Sequence, residues 1–147
     1  GEALAQRENG VEPAGGLMVA RVSVAILAND RGRPDAGRAA ARRAYAAAPW
    51  YPDSAATLAG LLHRSGDEEG ARSLAESLGK GETFGEARVN ALYLLLRGDV
   101  DGAVSWVEQA IAERDISMMV YLRFALSKGL RASVHWPWIL GLLKLTK

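Results

Sequence analysis

Residues 53–78 read DSAATLAGLLHRSGDEEGARSLAESL. An apolar and small-residue run carrying Leu58-Ala59 and Leu62 leads to Gly66. Three carboxylates follow, Asp67, Glu68 and Glu69, and then a second small-residue run with Ala71, Ala75 and Leu78. Acidic side chains belong in the first turn of a helix, where the macrodipole is positive. The stretch therefore predicts two helices, 53–64 and 67–78, around a turn at Ser65-Gly66, with Asp53 or Ser54 capping the first. The same grammar surrounds Gly32 and Gly98, which stand 34 residues before and 32 after Gly66. A small alanine precedes each glycine by seven residues, Ala25, Ala59 and Ala91. Ala28, Leu62 and Leu94 precede by four; Gly37, Ala71 and Ala103 follow by five. Ala41, Ala75 and Val107 follow by nine, then Ala44, Leu78 and Ala110 by twelve. A period near 34 with one glycine turn per unit marks a helix–turn–helix solenoid. The expected fold is all-α: a right-handed superhelix of antiparallel helix pairs with a C-terminal capping helix. Such a fold builds a binding surface rather than a catalytic pocket.

Working outward, the chain reads as one domain over 1–147. Residues 1–10 look like the end of a preceding repeat, followed by a breaker cluster with Gly10, Pro13, Gly15 and Gly16. The repeats span 17–49, 52–83 and 84–115, and 116–147 form a degenerate repeat and cap. The first unit has helices 17–29 and 34–48, with Pro34 at a position where its missing N–H is harmless. Eight alanines within 36–48 suit close helix–helix approach and helix propensity. The third unit has helices 84–96 and 99–113. The last part predicts a helix at 117–126, a break around Lys128-Gly129, and a helix near 134–145 with Ser133 as its N-cap.

Composition narrows the class. The chain is 49% hydrophobic and 24% charged, an ordinary globular balance. A net charge of +1 supplies no overall pull toward nucleic acid or anionic lipid. The absence of cysteine excludes disulfides and thiolate metal sites. No stretch reaches the roughly 18 apolar residues of a membrane span, and the N-terminus carries no signal-peptide pattern. The start at Gly1 without methionine reads as a fragment of a longer protein. A cytoplasmic location is the expectation.

These residues resemble the tetratricopeptide repeat family. Leu58-Ala59, Leu62, Gly66-Asp67, Ala71 and Ala75 carry the likeness in the second unit. Val24-Ala25, Gly32, Ala44 and Pro49 carry it in the first, and Ala91, Leu94, Gly98-Asp99, Ala103 and Ala110 in the third. Arg21, Ala55 and Ala87 stand where that family usually places a large aromatic. The order Trp106 to Ala110, Glu113-Arg114-Asp115, Val120-Tyr121-Leu122, Leu130-Arg131, Trp136 and Ile139-Leu140 is similar to the C-terminal repeats of bacterial signalling proteins of cyclase, kinase or winged-helix regulator type. The resemblance implies a non-catalytic protein–protein interaction or scaffold module, the sensory or regulatory end of a larger protein. Its partner would be a protein or peptide, held in a groove lined by the first helices. That groove would take Val22, Ile26 and Asn29 from the first unit, Asp53, Thr57 and Arg64 from the second, and Arg88, Val89, Leu92 and Leu96 from the third. Relatives that clamp a chaperone's terminal carboxylate do so with lysines, asparagines and an arginine. Val22, Ile26, Thr57, Gly85 and Val89 stand here instead, so that partner is disfavoured.

Catalytic and metal constellations are lacking. His63 and His135 are far apart in sequence and show no ligand spacing. Gly79-Lys80-Gly81-Glu82-Thr83 lacks the glycine-to-lysine spacing of a phosphate loop and follows a helix, so it reads as an inter-repeat loop. Arg31, Arg33, Arg38, Arg42 and Arg43 form a basic cluster diluted by Asp30 and Asp35 and without an aromatic platform, which argues against nucleic acid. The expectation is thus no enzyme, no cofactor, no metal, no nucleic-acid partner and no membrane insertion. The segment 134–145 is apolar nearly all round, with Lys144 its one fixed charge. Self-association through this helix, with Trp138 and Leu142 at a homodimer interface, is the alternative function.

Overall fold

The computed structural model describes residues 17–124 and 128–145, and every regular element among them is a helix. In order these are α1 (17–30), α2 (Pro34–Ala47), α3 (Pro52–Arg64), α4 (Glu68–Ala75), α5 (Glu86–Arg97), α6 (Val100–Ala112), α7 (Ile116–Phe124), α8 (Lys128–Arg131) and α9 (Trp136–Leu145). The expected helical end of a preceding repeat at 1–10 lies outside the described residues.

One turn device recurs. At Gly66 the backbone is left-handed (φ 99°). Its amide donates to the His63 carbonyl at 3.1 Å, and the Asp67 amide reaches back to the Leu62 carbonyl at 2.9 Å. This pattern satisfies the orphan carbonyls of a helix end, and glycine takes the left-handed position without steric cost. Gly98 (φ 95°) and Gly32 (φ 78°) repeat it, through Asp99 to Leu94 and Arg33 to Ala28. The residue after the glycine then starts the next helix. The Asp67 carboxylate accepts from the Gly70 amide, and the Asp99 carboxylate from the Gly102 amide, each at 2.9 Å. A fourth use joins α6 to α7 without glycine. Arg114 is left-handed (φ 57°), the Asp115 amide bonds back to the Ala110 carbonyl, and the Asp115 carboxylate accepts from the Met118 amide at 3.2 Å.

A connection this short leaves α3 and α4 no arrangement but antiparallel, and they pack along their lengths, as do α5 and α6. Asp99→Ala is expected to cost about 1 kcal/mol, the usual worth of an N-cap, with Asp99→Asn losing much less. Urea denaturation of the three proteins is the measurement.

The repeated small positions are where helices meet. Ala25, Ala59 and Ala91 are fully buried, and so are Ala71 and Ala103. Helix α3 is buried continuously from Asp53 to Leu62, because it is flanked by α2, α4 and α5. A helix covered on so many sides carries no polar face. Helices α3 and α5 cross closely. A Cβ built on Gly60 would lie 2.6 Å from the Leu96 Cβ and 2.9 Å from the Tyr93 carbonyl oxygen. The core runs without interruption from Val22 and Ile26 through Leu61, Leu92 and Ile111 to Met118, Leu122, Ile139 and Leu143.

Boundaries differ from expectation where local geometry intervenes. Gly85 is left-handed (φ 94°), so α5 begins at Glu86 rather than 84. Helix α4 ends at Ala75, and Ser77 and Leu78 close a tighter turn with amides bonded three residues back. The expected break at Lys128-Gly129 is instead the start of the one-turn helix α8. Ser133 does support the start of α9: its Oγ accepts from the His135 amide at 3.3 Å.

Candidate functional site

The most highly organised polar feature is a buried ionic cluster at the starts of α3, α5 and α7. Pro52 occupies the first turn of α3 and Tyr51 is its N-cap residue, with no side-chain cap. The expectation that Asp53 or Ser54 caps this helix is therefore corrected. Asp53 is fully buried and turns toward α5. Arg88 donates to it from Nε at 3.1 and 3.2 Å and from Nη2 at 3.1 Å. Its Nη1 donates to Asp115 Oδ2 at 2.5 Å. The Tyr121 hydroxyl donates to Asp53 Oδ2 at 2.6 Å and the Tyr51 hydroxyl at 3.2 Å. One guanidinium thus joins two buried carboxylates contributed by different units. The surplus negative charge sits at the N-termini of α3 and α7, where the helix dipole favours it.

Protonation follows from this burial. Removal from water opposes the Arg88 charge, but Asp53 and Asp115 outweigh it and the pKa is raised. Burial, assisted by the Asp53 charge, pushes the Tyr51 phenol up to about 12. Tyr121 is pushed far above the ordinary range, again by burial first and Asp53 second. The sign of the linkage is definite. Below the unfolded phenol pKa, near 10, both tyrosines are protonated in native and unfolded chains and add no pH dependence. Above it the unfolded chain releases protons that the native chain retains, so stability falls as pH rises. Tyr121 alone should contribute a slope of about 1.4 kcal/mol per pH unit. Unfolding midpoints between about pH 10 and 12 should fall steeply for the wild type and less steeply for Tyr121→Phe. An unchanged slope in the variant would contradict the assignment.

The groove proposed from helical phase is mostly interior. Val22, Ile26, Asp53, Thr57, Val89, Leu92 and Leu96 are buried, so they are core rather than free surface. Helical phase identifies residues on one face, but that face is covered by neighbouring helices. Arg88 belongs to the ionic cluster. The structure does bring Ile26, Asn29, Arg64 and Leu96 together, with Leu95, Val100 and Leu130, around a cleft of about 530 Å³ at the turn end of the helices. Asp30 and Lys128 complete its charged rim. His63 instead borders a polar cleft of about 420 Å³ with Glu68, Arg72, Glu76, Tyr93 and Arg97. In it the Arg97 guanidinium lies 5.4 Å from the Tyr93 ring centre.

In the loop 79–83 the Glu86 carboxylate takes the place an anion would hold at the Gly81 and Glu82 amides. Glu86 accepts from the Gly81 and Glu82 amides at 2.9 and 3.0 Å and from the Thr83 hydroxyl. The Thr83 hydroxyl, above all, holds the Glu86 carboxyl below its usual range. Asn90 and Gln109 tie down the Gly79 and Gly81 carbonyls at 3.1 and 2.8 Å.

At the C-terminal end α9 lies against α6. The Trp138 indole donates to Glu108 at 3.1 Å while 59% of the residue remains exposed; Leu142 is half-buried. His135 Nε2 is 2.8 Å from an Asp101 carboxylate oxygen. No group of three His, Asp or Glu side chains suited to a metal ion occurs among the described residues. No helix among them is long and apolar enough to cross a membrane.

The ionic cluster escaped the sequence reading, although a signal existed. Arg88 stands between the apolar Ala87 and Val89, and Asp53 occupies the first turn of the preceding first helix. The packing of α3 on α5 brings these two first turns together. Comparison with protein-family models, curated proteins and solved structures finds no match to this chain.

Proposed function

We propose that this chain is a non-catalytic protein–protein interaction module of tetratricopeptide-like architecture, a right-handed superhelix of antiparallel pairs capped by α9. It serves as the sensory or regulatory region of a larger bacterial signalling protein. One observation carries the reading: the same left-handed stop and aspartate start recurs in phase at Gly66-Asp67 and Gly98-Asp99, with the same small positions buried in each unit. Stacked units of this kind present extended surfaces to partners. The peptide seat is the cleft where Asn29 and Arg64 stand over Ile26 and Leu96. Selection from a displayed random-peptide library against the whole chain tests this. Recovered peptides should bind the wild type saturably and lose affinity on Arg64→Glu or Asn29→Ala. A selection that returns no specific binder counts against the module.

A second reading, homo-oligomerisation through α9, is favoured by the 59% exposure of Trp138. Light scattering across a concentration series decides between them. A dimer that dissociates on Trp138→Glu or Leu142→Glu supports self-association; a monomer at every concentration removes it.

A further inference from the structure

Between α7 and α9 lies a third concavity, of about 200 Å³. Leu122 and Leu143 are its buried floor, and Trp136 and Leu140 are half-buried walls. Arg123, Arg131 and Lys144 form an exposed rim. No carboxylate lines it, and none of the three cations has an ion-pair partner among the described residues. Arg131 is positioned rather than loose: its guanidinium lies 5.4 Å from the Trp136 ring centre and donates to the Arg123 carbonyl at 3.5 Å. The volume is below the roughly 300 Å³ at which small-molecule pockets begin, and it suits a single aliphatic side chain. A small apolar hole with cations on its edge is complementary to one kind of ligand, an apolar anchor flanked by negative charge.

We propose that the groove between α7 and α9 docks an acidic peptide segment, one leucine-sized side chain entering the hole while flanking carboxylates pair with Arg123, Arg131 and Lys144. This rests on the reading of the chain as an interaction module but assigns a second seat, apart from the Arg64 cleft. A peptide is favoured over a lipid surface because the apolar floor is recessed and narrow, whereas membrane association draws on a broad apolar face.

The probe is a fluorescein-labelled peptide, Gly-Glu-Glu-Leu-Glu-Glu-Gly, titrated with the full chain by fluorescence anisotropy. Saturable binding is expected, weakening as salt is raised. Replacing the peptide's leucine by alanine, or its glutamates by lysine, should each weaken binding about tenfold or more. The double variant Arg123→Gln, Lys144→Gln should do the same, whereas Arg64→Gln should leave binding unchanged. If the double variant does not fold, judged by circular dichroism, the peptide exchanges and salt series on the wild type decide alone. Absence of saturable binding overturns the proposal, as does equal affinity for the lysine peptide or a folded double variant that binds normally. So does tighter, rim-dependent binding to phosphatidylcholine–phosphatidylserine vesicles, which would replace the peptide by a lipid surface. Library-selected peptides that respond to Arg64 while this probe fails would leave the interaction module standing without this groove. Failure of both would remove the module as well.

Discussion

Arg88→Ala is expected to destabilise the chain by about 3–5 kcal/mol, the usual cost of removing one partner from a buried ion pair. The effect is large because two carboxylates, not one, lose their counter-charge. Asp53 is fully buried and Asp115 nearly so, while Arg88 itself is only 12% exposed. Tyr121 would still donate to Asp53, but Asp115 would keep the Met118 amide alone. Arg88→Lys should recover only part of the loss, since an ammonium cannot reproduce contacts from Nε, Nη1 and Nη2 to two separate acceptors. Equilibrium urea unfolding at neutral pH is the measurement. A loss under about 1 kcal/mol would show that the cluster is solvated in solution and contributes as a surface pair does. Joint replacement of Asp53, Arg88 and Asp115 by apolar residues of similar size is expected to cost far less than Arg88→Ala, because it leaves no unpaired charge. That comparison separates the worth of the cluster from the penalty of breaking it.

The second large effect is expected at Gly60→Val, a loss of about 3 kcal/mol, at the upper end for overpacking. The ideal Cβ position is already 2.6 Å from the Leu96 Cβ and 2.9 Å from the Tyr93 carbonyl oxygen. Backbone on the opposing helix cannot rotate away as a side chain can, so α3 and α5 must separate. Gly60→Ala should also destabilise, though less, because about 1 kcal/mol of helix propensity is gained in compensation. Gly141→Ala in α9 is the control: nothing lies within 4 Å of its added Cβ, so propensity alone acts and the chain should be slightly stabilised. Thermal or urea unfolding of the three variants checks the order. A Gly60→Val protein as stable as the wild type would mean that α3 and α5 do not cross as described.

The cluster and the crossing serve one mechanical end. Each glycine turn orders the two helices beside it, but nothing in a turn specifies how the next pair sits. The Gly60 approach brings successive first helices together, and the Arg88 bridge reaches from the second unit to the helix beyond the third. The cleft proposed around Arg64 depends on that alignment, because it is lined by residues from Ile26 to Ala132.

What the sequence by itself determined is whatever is encoded over short range. Helix stops at Gly32, Gly66 and Gly98 and the aspartate starts at Asp67 and Asp99 involve partners within five residues. The close-packed positions Ala25, Ala59 and Ala91 announce themselves because a small residue recurring at a helical period has few other uses. The tertiary structure alone decided which covered face became core and which residue types met across units. Asp53 could cap its own helix by local rules; it is withdrawn to a guanidinium 35 residues away, because Pro52 already occupies the start of α3 and the paired charge needs burial on both sides. Val22, Thr57, Val89 and Leu92 keep the same phase on α1, α3 and α5 whether the face they mark is a groove or an interior, since periodicity reports the face and not what lies against it. The cationic rim between α7 and α9 was equally hidden. Arg123, Arg131 and Lys144 become one feature only when two helices converge on Leu122 and Leu143, and convergence is a property of packing, not of any local stretch.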